Sequence, residues 1–145
     1  MSTTTDEALR ERRAQVVRDH MESENRLAFD ETIATFAHPH YELIATGTVY
    51  DGEEEVMGYY AASRAAFPDQ RNEIHSIRQA DDAVIVEFDL LGTHTGPFLG
   101  LEPTGREFRC RMAAFFVFEP GTARIEVERV YFDAATILTQ LGITL

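Results

Sequence analysis

The chain has 145 residues, of which 44% are hydrophobic, including ten Phe and five Tyr. This length suits a single domain, residues 1–145, with enough apolar side chains to fill a core or line an apolar cavity. The net charge of −12, from 25 acidic and 13 basic residues, repels nucleic acid and anionic membranes, so we expect neither as a partner.

The cysteine content and the start of the chain bear on the compartment. Cys110 is the only cysteine, which excludes an intrachain disulfide and fits a reducing environment. The first residues, 1–7, lack the basic segment and apolar core of a secretion signal, and no apolar run approaches the roughly 18 residues of a membrane span. We therefore expect a soluble, cytoplasmic protein.

The first half of the chain reads as mainly helical. Apolar residues at helical spacing predict helices over about 6–24, 27–37 and 53–67. Between the last two, the residues from Tyr41 to Thr48 predict a strand, and Tyr50-Asp51-Gly52 predicts a turn. Helices therefore come first in the chain.

The second half changes to alternating hydrophobicity. Strands are predicted at about 71–80, 83–95, 106–119 and 123–133, and a short helix follows. Short turns separate most of them, while residues 96–105 form a longer loop. Consecutive strands without helical crossovers indicate an antiparallel sheet and hence an α+β fold.

Alternation also assigns the faces of the strands. In strand 83–95 the even positions form an apolar row that continues to His94, and in strand 106–119 the even positions from Phe108 to Phe118 do the same. In the last strand, the odd positions place Asp133 on the face of Ile125 and Val127. We therefore predict that Asp133 and His94 face one cavity and are the catalytic residues.

Each of these two residues has a structural alternative. Asp133 directly precedes a helix, so it could act as an acid/base in proton transfer or only as the helix N-cap. His94 could donate a hydrogen bond to a substrate carbonyl, or it could be a satisfied histidine of the core. Burial of Asp133 beside His94 would favour catalysis, whereas an exposed Asp133 bonded to helix N–H groups would favour the cap.

Several side chains are candidates for contacts with an apolar substrate. Aromatic and apolar residues at these spacings also serve ordinary packing, and Arg129 could form a structural ion pair. The substrate-binding candidates are Tyr41, Tyr59, Tyr60, Phe88, Met112, Phe116, Arg129 and Tyr131.

His38 and His40 straddle a proline and have no third ligand at a suitable spacing, so we predict no metal site.

Short motifs in a fixed order resemble the SnoaL-like polyketide cyclase or ester cyclase group of the nuclear transport factor 2-like superfamily. The resemblance covers about residues 10–142. The motifs are His38-Pro39-x-Tyr41-Glu42-Leu43, Tyr50-Asp51-Gly52, Phe67-Pro68-Asp69, Gly92-Thr-His-Thr-Gly96 with Phe98-x-Gly100, Pro103-Thr-Gly105, and Asp133 with Gln140-Leu-Gly142. One departure is Leu27-Ala28, where relatives often have a His-Asp pair.

The resemblance implies a fold and a chemistry. The fold is a cone-shaped α+β barrel, with three N-terminal helices packed on a curved, mainly antiparallel sheet around an apolar pocket. The implied activity is a cyclase or isomerase reaction on a hydrophobic, carbonyl-bearing small molecule, without a metal or cofactor, in which Asp133 matches the family's acid/base and His94 lies in the same cavity. It also implies a homodimer formed through the sheet. The alternative is a ligand-binding or structural dimer module that catalyses nothing.

Overall fold

The computed structural model describes residues 3–144, which form four helices and six strands. The helices are α1 (Thr3–Asn25), α2 (Phe29–Ala34), α3 (Glu53–Ala66) and α4 (Ala134–Gln140). The strands are β1 (His40–Leu43), β2 (Thr48–Asp51), β3 (Arg71–Gln79), β4 (Ala83–Thr93), β5 (Glu107–Phe118) and β6 (Ile125–Tyr131). The predicted α+β class is confirmed.

One sheet contains all six strands, in the order β2-β1-β6-β5-β4-β3. Strands β3 to β6 form the predicted antiparallel meander, and β1 pairs with β6 in parallel. The parallel pair is possible because α3 and four strands separate β1 from β6 in the chain. The sheet is open, with β2 and β3 at its edges.

The segment predicted as one strand, 41–48, forms a hairpin instead. Strands β1 and β2 pair antiparallel, and the turn between them contains Gly47 with φ of 65°. The turn predicted at Tyr50-Asp51-Gly52 was wrong, because Tyr50 and Asp51 belong to β2. Only Gly52 stands outside it, as the N-cap of α3.

The core lies between the concave face of the sheet and the helices. Even-numbered residues of β5 from Phe108 to Phe118 are buried, as predicted. Helix α1 adds Val17 and Met21, and α3 adds Val56 and Tyr60. No helix within residues 3–144 is long and apolar enough to cross a bilayer.

A β-bulge in β6 overturns the predicted face of the last strand. Val117 pairs with Val127, but Phe118 pairs with Ile125, so Glu126 is an extra residue on β6. A bulge of one residue exchanges the two faces of everything after it. Beyond Ile125, the even residues Glu128 and Val130 are therefore buried.

Candidate active site

The concave side of the sheet contains an apolar cavity of about 460 Å³. Its walls come from the β1–β2 hairpin, α3, the loop after β4, the inner face of β4 to β6, and α4. The lining residues are Leu43, Thr46, Thr48, Tyr50, Tyr59, Ser63, Phe67, Gln70, Leu90, Phe98, Leu99, Phe108, Met112, Val130, Phe132, Ala134, Ile137 and Leu138. A cavity of this size accommodates a small organic molecule.

The polar groups in the lining are all uncharged. They are the hydroxyls of Thr46, Thr48, Tyr50, Tyr59 and Ser63 and the amide of Gln70. Burial raises the pKa of Tyr59, so its phenol keeps its proton at neutral pH and can donate a hydrogen bond. No carboxylate or imidazole from residues 6–144 belongs to the lining, so the acidic and histidine side chains nearest the cavity lie behind its walls or at its rim.

His94 lies directly behind two rings of the cavity wall. Its ring centroid is 5.6 Å from that of Phe67 and 5.9 Å from that of Phe98, and its side chain is fully buried. The Thr104 backbone N–H donates to Nδ1 over 3.2 Å, so the proton of the neutral ring is on Nε2. Nε2 has no hydrogen-bond partner among residues 3–144, which leaves a buried donor beside the cavity.

Asp133 is the N-cap of α4. Oδ1 accepts from the backbone N–H groups of Ala135 (3.0 Å) and Thr136 (3.3 Å), and Oδ2 accepts from the Thr136 hydroxyl (2.8 Å). These bonds lower the pKa of the carboxyl, first through the Thr136 hydroxyl, so Asp133 is ionised at neutral pH. The residue is exposed, although its two chain neighbours, Phe132 and Ala134, line the cavity. The structure therefore places Asp133 at the rim, in the geometry of the capping alternative.

Arg129 and Tyr131 lie on the outer face of the sheet. Arg129 Nε donates to Glu42 Oε1 over 2.7 Å, which is the ion pair that the sequence left open. The Tyr131 ring packs on Phe115 with centroids 5.6 Å apart and is exposed. Assigning both to the cavity face was wrong because of the bulge at Glu126, and neither side chain reaches the cavity.

The other substrate-binding candidates divide into two groups. Tyr59 and Met112 line the cavity. The remaining four are buried outside its lining: Tyr41, Tyr60, Phe88 and Phe116. Three of these four surround a second polar feature, a cluster of charged residues on the inner side of α1.

This buried cluster consists of His20, Glu24, Arg64 and Glu128. His20 Nε2 lies 2.7 Å from Glu128 Oε1 and 3.2 Å from Glu24 Oε1, and Arg64 Nη2 lies 3.7 Å from Glu24 Oε2. His20 is fully buried, with ring contacts to Phe116 at 5.2 Å. The cluster therefore links α1 to β6 and α3.

Hydrogen bonds fix the orientation of the His20 ring. The Thr35 hydroxyl donates to the Thr32 carbonyl over 2.6 Å, so it can only accept from His20 Nδ1, which is 2.8 Å away. His20 Nε2 then faces the carboxylates and the Tyr41 hydroxyl, which is 3.4 Å away. The Tyr41 hydroxyl in turn accepts from Tyr60 over 3.2 Å.

Charge coupling shifts the pKa values within the cluster. Burial opposes a charge on His20, but Glu128 and then Glu24 outweigh it and raise the pKa of His20 to about 10. Burial raises the pKa of Glu128, against the effect of His20. With His20 and Arg64 as cations and two carboxylates, the charges of the cluster balance.

The sequence reasoning missed this cluster. One sequence feature indicates the cluster: His20 and Glu24 are four residues apart and therefore lie on one face of α1. Glu128 was not among the candidate residues, because uninterrupted alternation places the even positions of the last strand on the face opposite Asp133. The bulge at Glu126, which reverses this, has no signature in the sequence.

Comparison with known proteins identifies the family. Residues 12–141 match the family model of the SnoaL-like polyketide cyclases, which covers most of the chain. The protein therefore belongs to the SnoaL-like polyketide cyclase family, as the sequence motifs predicted. No curated protein matches the chain significantly.

Solved structures support the same fold. A candidate SnoaL-like polyketide cyclase from Jannaschia sp. CCS1 superposes with a TM-score of 0.81, at 17% identity, covering 94% of this chain and 96% of that one. IdmH, a candidate polyketide cyclase from Streptomyces antibioticus, gives 0.76 at 27% identity, covering 90% and 99%. A protein from Catenulispora acidiphila with a ketosteroid isomerase-like fold gives 0.73 at 21% identity, covering 89% and 93%. The chain thus has the cone-like α+β fold of this superfamily.

Proposed function

We propose that the protein binds a hydrophobic, carbonyl-bearing small molecule in the apolar cavity and acts on it by acid/base catalysis without a cofactor. The observation that supports binding best is the cavity itself: about 460 Å³, mostly apolar in its lining, with a few uncharged polar groups. Such a lining favours a ligand with little charge, because a buried charge without a partner is costly.

His94 is the proposed partner of the carbonyl oxygen. Its Nε2–H is a buried donor without a partner in the described part of the chain, and it lies behind the rings of Phe67 and Phe98. A small rotation of Phe98, which belongs to the loop between β4 and β5, would open a path from the ligand to this donor. A hydrogen bond there would stabilise the negative charge that forms on the oxygen when an α-proton leaves.

Asp133 is the proposed base. Because its pKa is lowered, the Asp133 carboxyl is ionised at neutral pH and is therefore in the form that can accept a proton. Turning the carboxylate from the α4 N-terminus into the cavity would break the cap, at a cost of roughly 1 kcal/mol. The C–H bond α to the carbonyl would break and the proton would pass to Asp133. The resulting enolate would attack a second carbonyl within the same molecule, and the alkoxide formed would take the proton back from Asp133. In an isomerisation, the enolate would instead take that proton back at another carbon.

The family supports the aldol alternative, since residues 12–141 match the model of the SnoaL-like polyketide cyclases and IdmH, at 27% identity, is a candidate polyketide cyclase. Isomerisation is the other alternative, because the Catenulispora protein has a ketosteroid isomerase-like fold. At 21% identity this similarity concerns the fold alone. Both reactions share the enolisation step, which is the step to test.

Binding can be tested with the fluorescence of N-phenyl-1-naphthylamine, an uncharged apolar probe. We expect saturable enhancement for the wild type and loss of it in Leu138→Trp, because this side chain would fill the cavity. The matched control is Thr139→Trp, the next residue of α4, which is exposed and outside the lining. Equal probe binding by both variants would argue against the cavity as the site.

Enolisation can be tested by deuterium exchange into 2-tetralone, an apolar ketone, followed by NMR. We expect the protein to accelerate exchange, and Asp133→Asn and His94→Phe each to slow it at least about tenfold, within the range for loss of one acid/base or oxyanion donor. Asn at position 133 keeps the cap, so folding is preserved. Exchange that is unaffected by Asp133→Asn would remove the proposed base.

A second candidate function, binding without catalysis, is favoured by one observation. Among the residues that the structure describes, the exposed Asp133 carboxylate is bonded only to Ala135 and Thr136, and no carboxylate lines the cavity. This alternative predicts saturable binding of N-phenyl-1-naphthylamine and of 2-tetralone with no acceleration of exchange.

A further inference from the structure

Three potential metal ligands converge on the inner side of α1, outside the cavity lining. The ligand atoms are His20 Nε2, Glu24 Oε1 and Glu128 Oε1, and all lie within 4.8 Å of one another. Helix α1 supplies two of them from one face, since residues four apart are neighbours on a helix. Strand β6 supplies the third, because the bulge at Glu126 turns Glu128 inward.

One proton cannot satisfy all the acceptors around His20 Nε2. An N–H group is directed at one acceptor, whereas Oε1 of Glu24 and Oε1 of Glu128 both lie within 3.2 Å of Nε2. Glu128 Oε1 is the atom left over: it accepts no well-directed hydrogen bond although its side chain is only 7% exposed. A buried carboxylate oxygen without such a bond is costly.

A metal ion has no such directional limit. We propose that His20, Glu24 and Glu128 bind a divalent first-row transition-metal ion, through one imidazole nitrogen and two carboxylate oxygens. Ligand atoms bound at about 2.1 Å to a tetrahedral ion lie roughly 3.4 Å apart. The separation of 3.2 Å between His20 Nε2 and Glu24 Oε1 is close to this value, and the 2.7 Å between His20 Nε2 and Glu128 Oε1 needs to widen by about 0.7 Å.

The surroundings of His20 match those of a metal-binding histidine. Metal-bound histidines donate their other ring N–H to an oxygen, which fixes the ring with its lone pair towards the ion. His20 Nδ1 has this contact to the Thr35 hydroxyl, which is itself held by the Thr32 carbonyl. Arg64 contacts the far oxygen of Glu24, so Oε1 of Glu24 stays directed at the site.

The mixed ligand set indicates the class of ion. Imidazole suits zinc, iron and copper, whereas carboxylates alone suit magnesium, calcium and manganese. One histidine with two glutamates therefore favours Zn²⁺ over Mg²⁺. The ion would replace the proton that the His20 cation carries on Nε2, so binding should weaken as the pH falls.

The first experiment is calorimetric titration of the chelator-treated full-length chain with ZnCl₂. We expect one ion per chain at this site and a rise in melting temperature of at least about 5 °C at saturation. Absence of stoichiometric binding, at a Zn²⁺ concentration that saturates common histidine sites, would overturn the proposal. The result does not depend on the cavity ligand or on the reaction proposed above.

Matched variants locate the ion. Glu24→Gln should weaken Zn²⁺ binding at least about tenfold, since it removes a charged ligand. Glu22→Gln, an exposed residue of the same helix, should leave the affinity unchanged. A surface alternative exists where His38 and His40 contact Asp51 at 3.0 and 2.9 Å, so His40→Gln is the second control. Loss of binding in His40→Gln but not in Glu24→Gln would contradict the proposed site.

A direct measurement covers the case in which Glu24→Gln fails to fold. Crystals of the wild type grown with Zn²⁺ should show anomalous density at the zinc edge between His20, Glu24 and Glu128. Density only beside His40 and Asp51, or none at all, would overturn the proposal without any variant.

Discussion

At the scale of single residues, the Asp133 carboxylate combines a capping geometry with a position at the rim of the cavity. Its oxygens accept three hydrogen bonds, all from Ala135 and Thr136. The preceding side chain, Phe132, and the following one, Ala134, line the cavity. Capping and proton transfer therefore require different rotamers of one side chain, and the two roles can be separated by substitution.

Substitution of Asp133 should first reveal the cap. We expect Asp133→Ala to lower the free energy of unfolding by about 1 kcal/mol, because two N–H groups of α4 lose their acceptor. Asp133→Asn should stay close to the wild type, since Asn is an equally good N-cap. Urea denaturation at neutral pH measures both, and equal stability of the Ala and Asn variants would contradict the capping role.

At the scale of elements, Asp89 joins three strands on the outer face of the sheet. Its carboxylate contacts His75 of β3 at 3.0 Å and, on β5, Arg109 at 2.8 Å and Arg111 at 2.7 Å. Arg111 first, then His75 and Arg109, hold the pKa of Asp89 well below its usual range. A carboxylate that is only 8% exposed is thus compensated by three partners from neighbouring strands.

This cluster predicts a pH dependence of stability. Because the pKa of Asp89 is lower in the folded state, its contribution is fully present above the unfolded value of about 3.9 and is lost as the pH falls below it. We expect Asp89→Asn to destabilise by about 1–3 kcal/mol at pH 7 and by less at pH 3. Urea denaturation at both pH values tests this, with Asp19→Asn, an exposed residue of α1, as the control. A constant difference between wild type and Asp89→Asn would contradict it.

Two glycines should respond to alanine with opposite signs. At Gly96, a Cβ would lie 1.8 Å from the Ala65 carbonyl oxygen, where the loop after β4 bonds to the end of α3. At Gly58, inside α3, a Cβ meets no atom within 4 Å. We expect Gly96→Ala to destabilise by about 1–3 kcal/mol and Gly58→Ala to stabilise by about 1 kcal/mol. Thermal unfolding measures both, and stabilisation by Gly96→Ala would exclude the close approach.

At the scale of the whole molecule, the outer face of the sheet offers an apolar surface. Strands β5 and β6 present Phe115, Val117, Val127 and Tyr131 there, all partly accessible to solvent. The homodimer expected from the family stays a prediction, and these residues are the part of the sheet best suited to it.

The dimer can be tested by light scattering during size-exclusion chromatography. We expect the wild type to elute as a dimer at micromolar concentration and Phe115→Asp as a folded monomer, because the charge would be buried in the interface. Ile74→Asp on the edge strand β3, where Ile74 is already 39% exposed, is the control. A monomeric wild type would rule out the predicted homodimer.

The helices and strands of this fold could be predicted where a sequence pattern within the segment itself, such as alternation or a cap residue, indicates the structure. The alternation in β4 and β5 correctly placed Phe88 and Met112 on the buried face, and His94, directly after β4, is buried as predicted. The Asp133-Ala-Ala sequence correctly marked the start of α4. The β1–β2 hairpin was missed because its turn has a single glycine and no proline. The cavity lining from α4 and the β1–β2 turn depends on contacts between segments far apart in the chain, which no local pattern contains.

The sequence by itself determined the family, the α+β class, the order of most elements and the position of Asp133 directly before a helix, because motifs, periodicity and cap residues are properties of short segments. Only the tertiary structure decided which side chains meet. One extra residue at Glu126 turned Glu128 inward and Arg129 and Tyr131 outward, since side chains alternate with a period of two. As a result, the buried charged cluster of the protein is formed by His20, Glu24 and Glu128, whereas Asp133, the carboxylate of the family motif, is exposed.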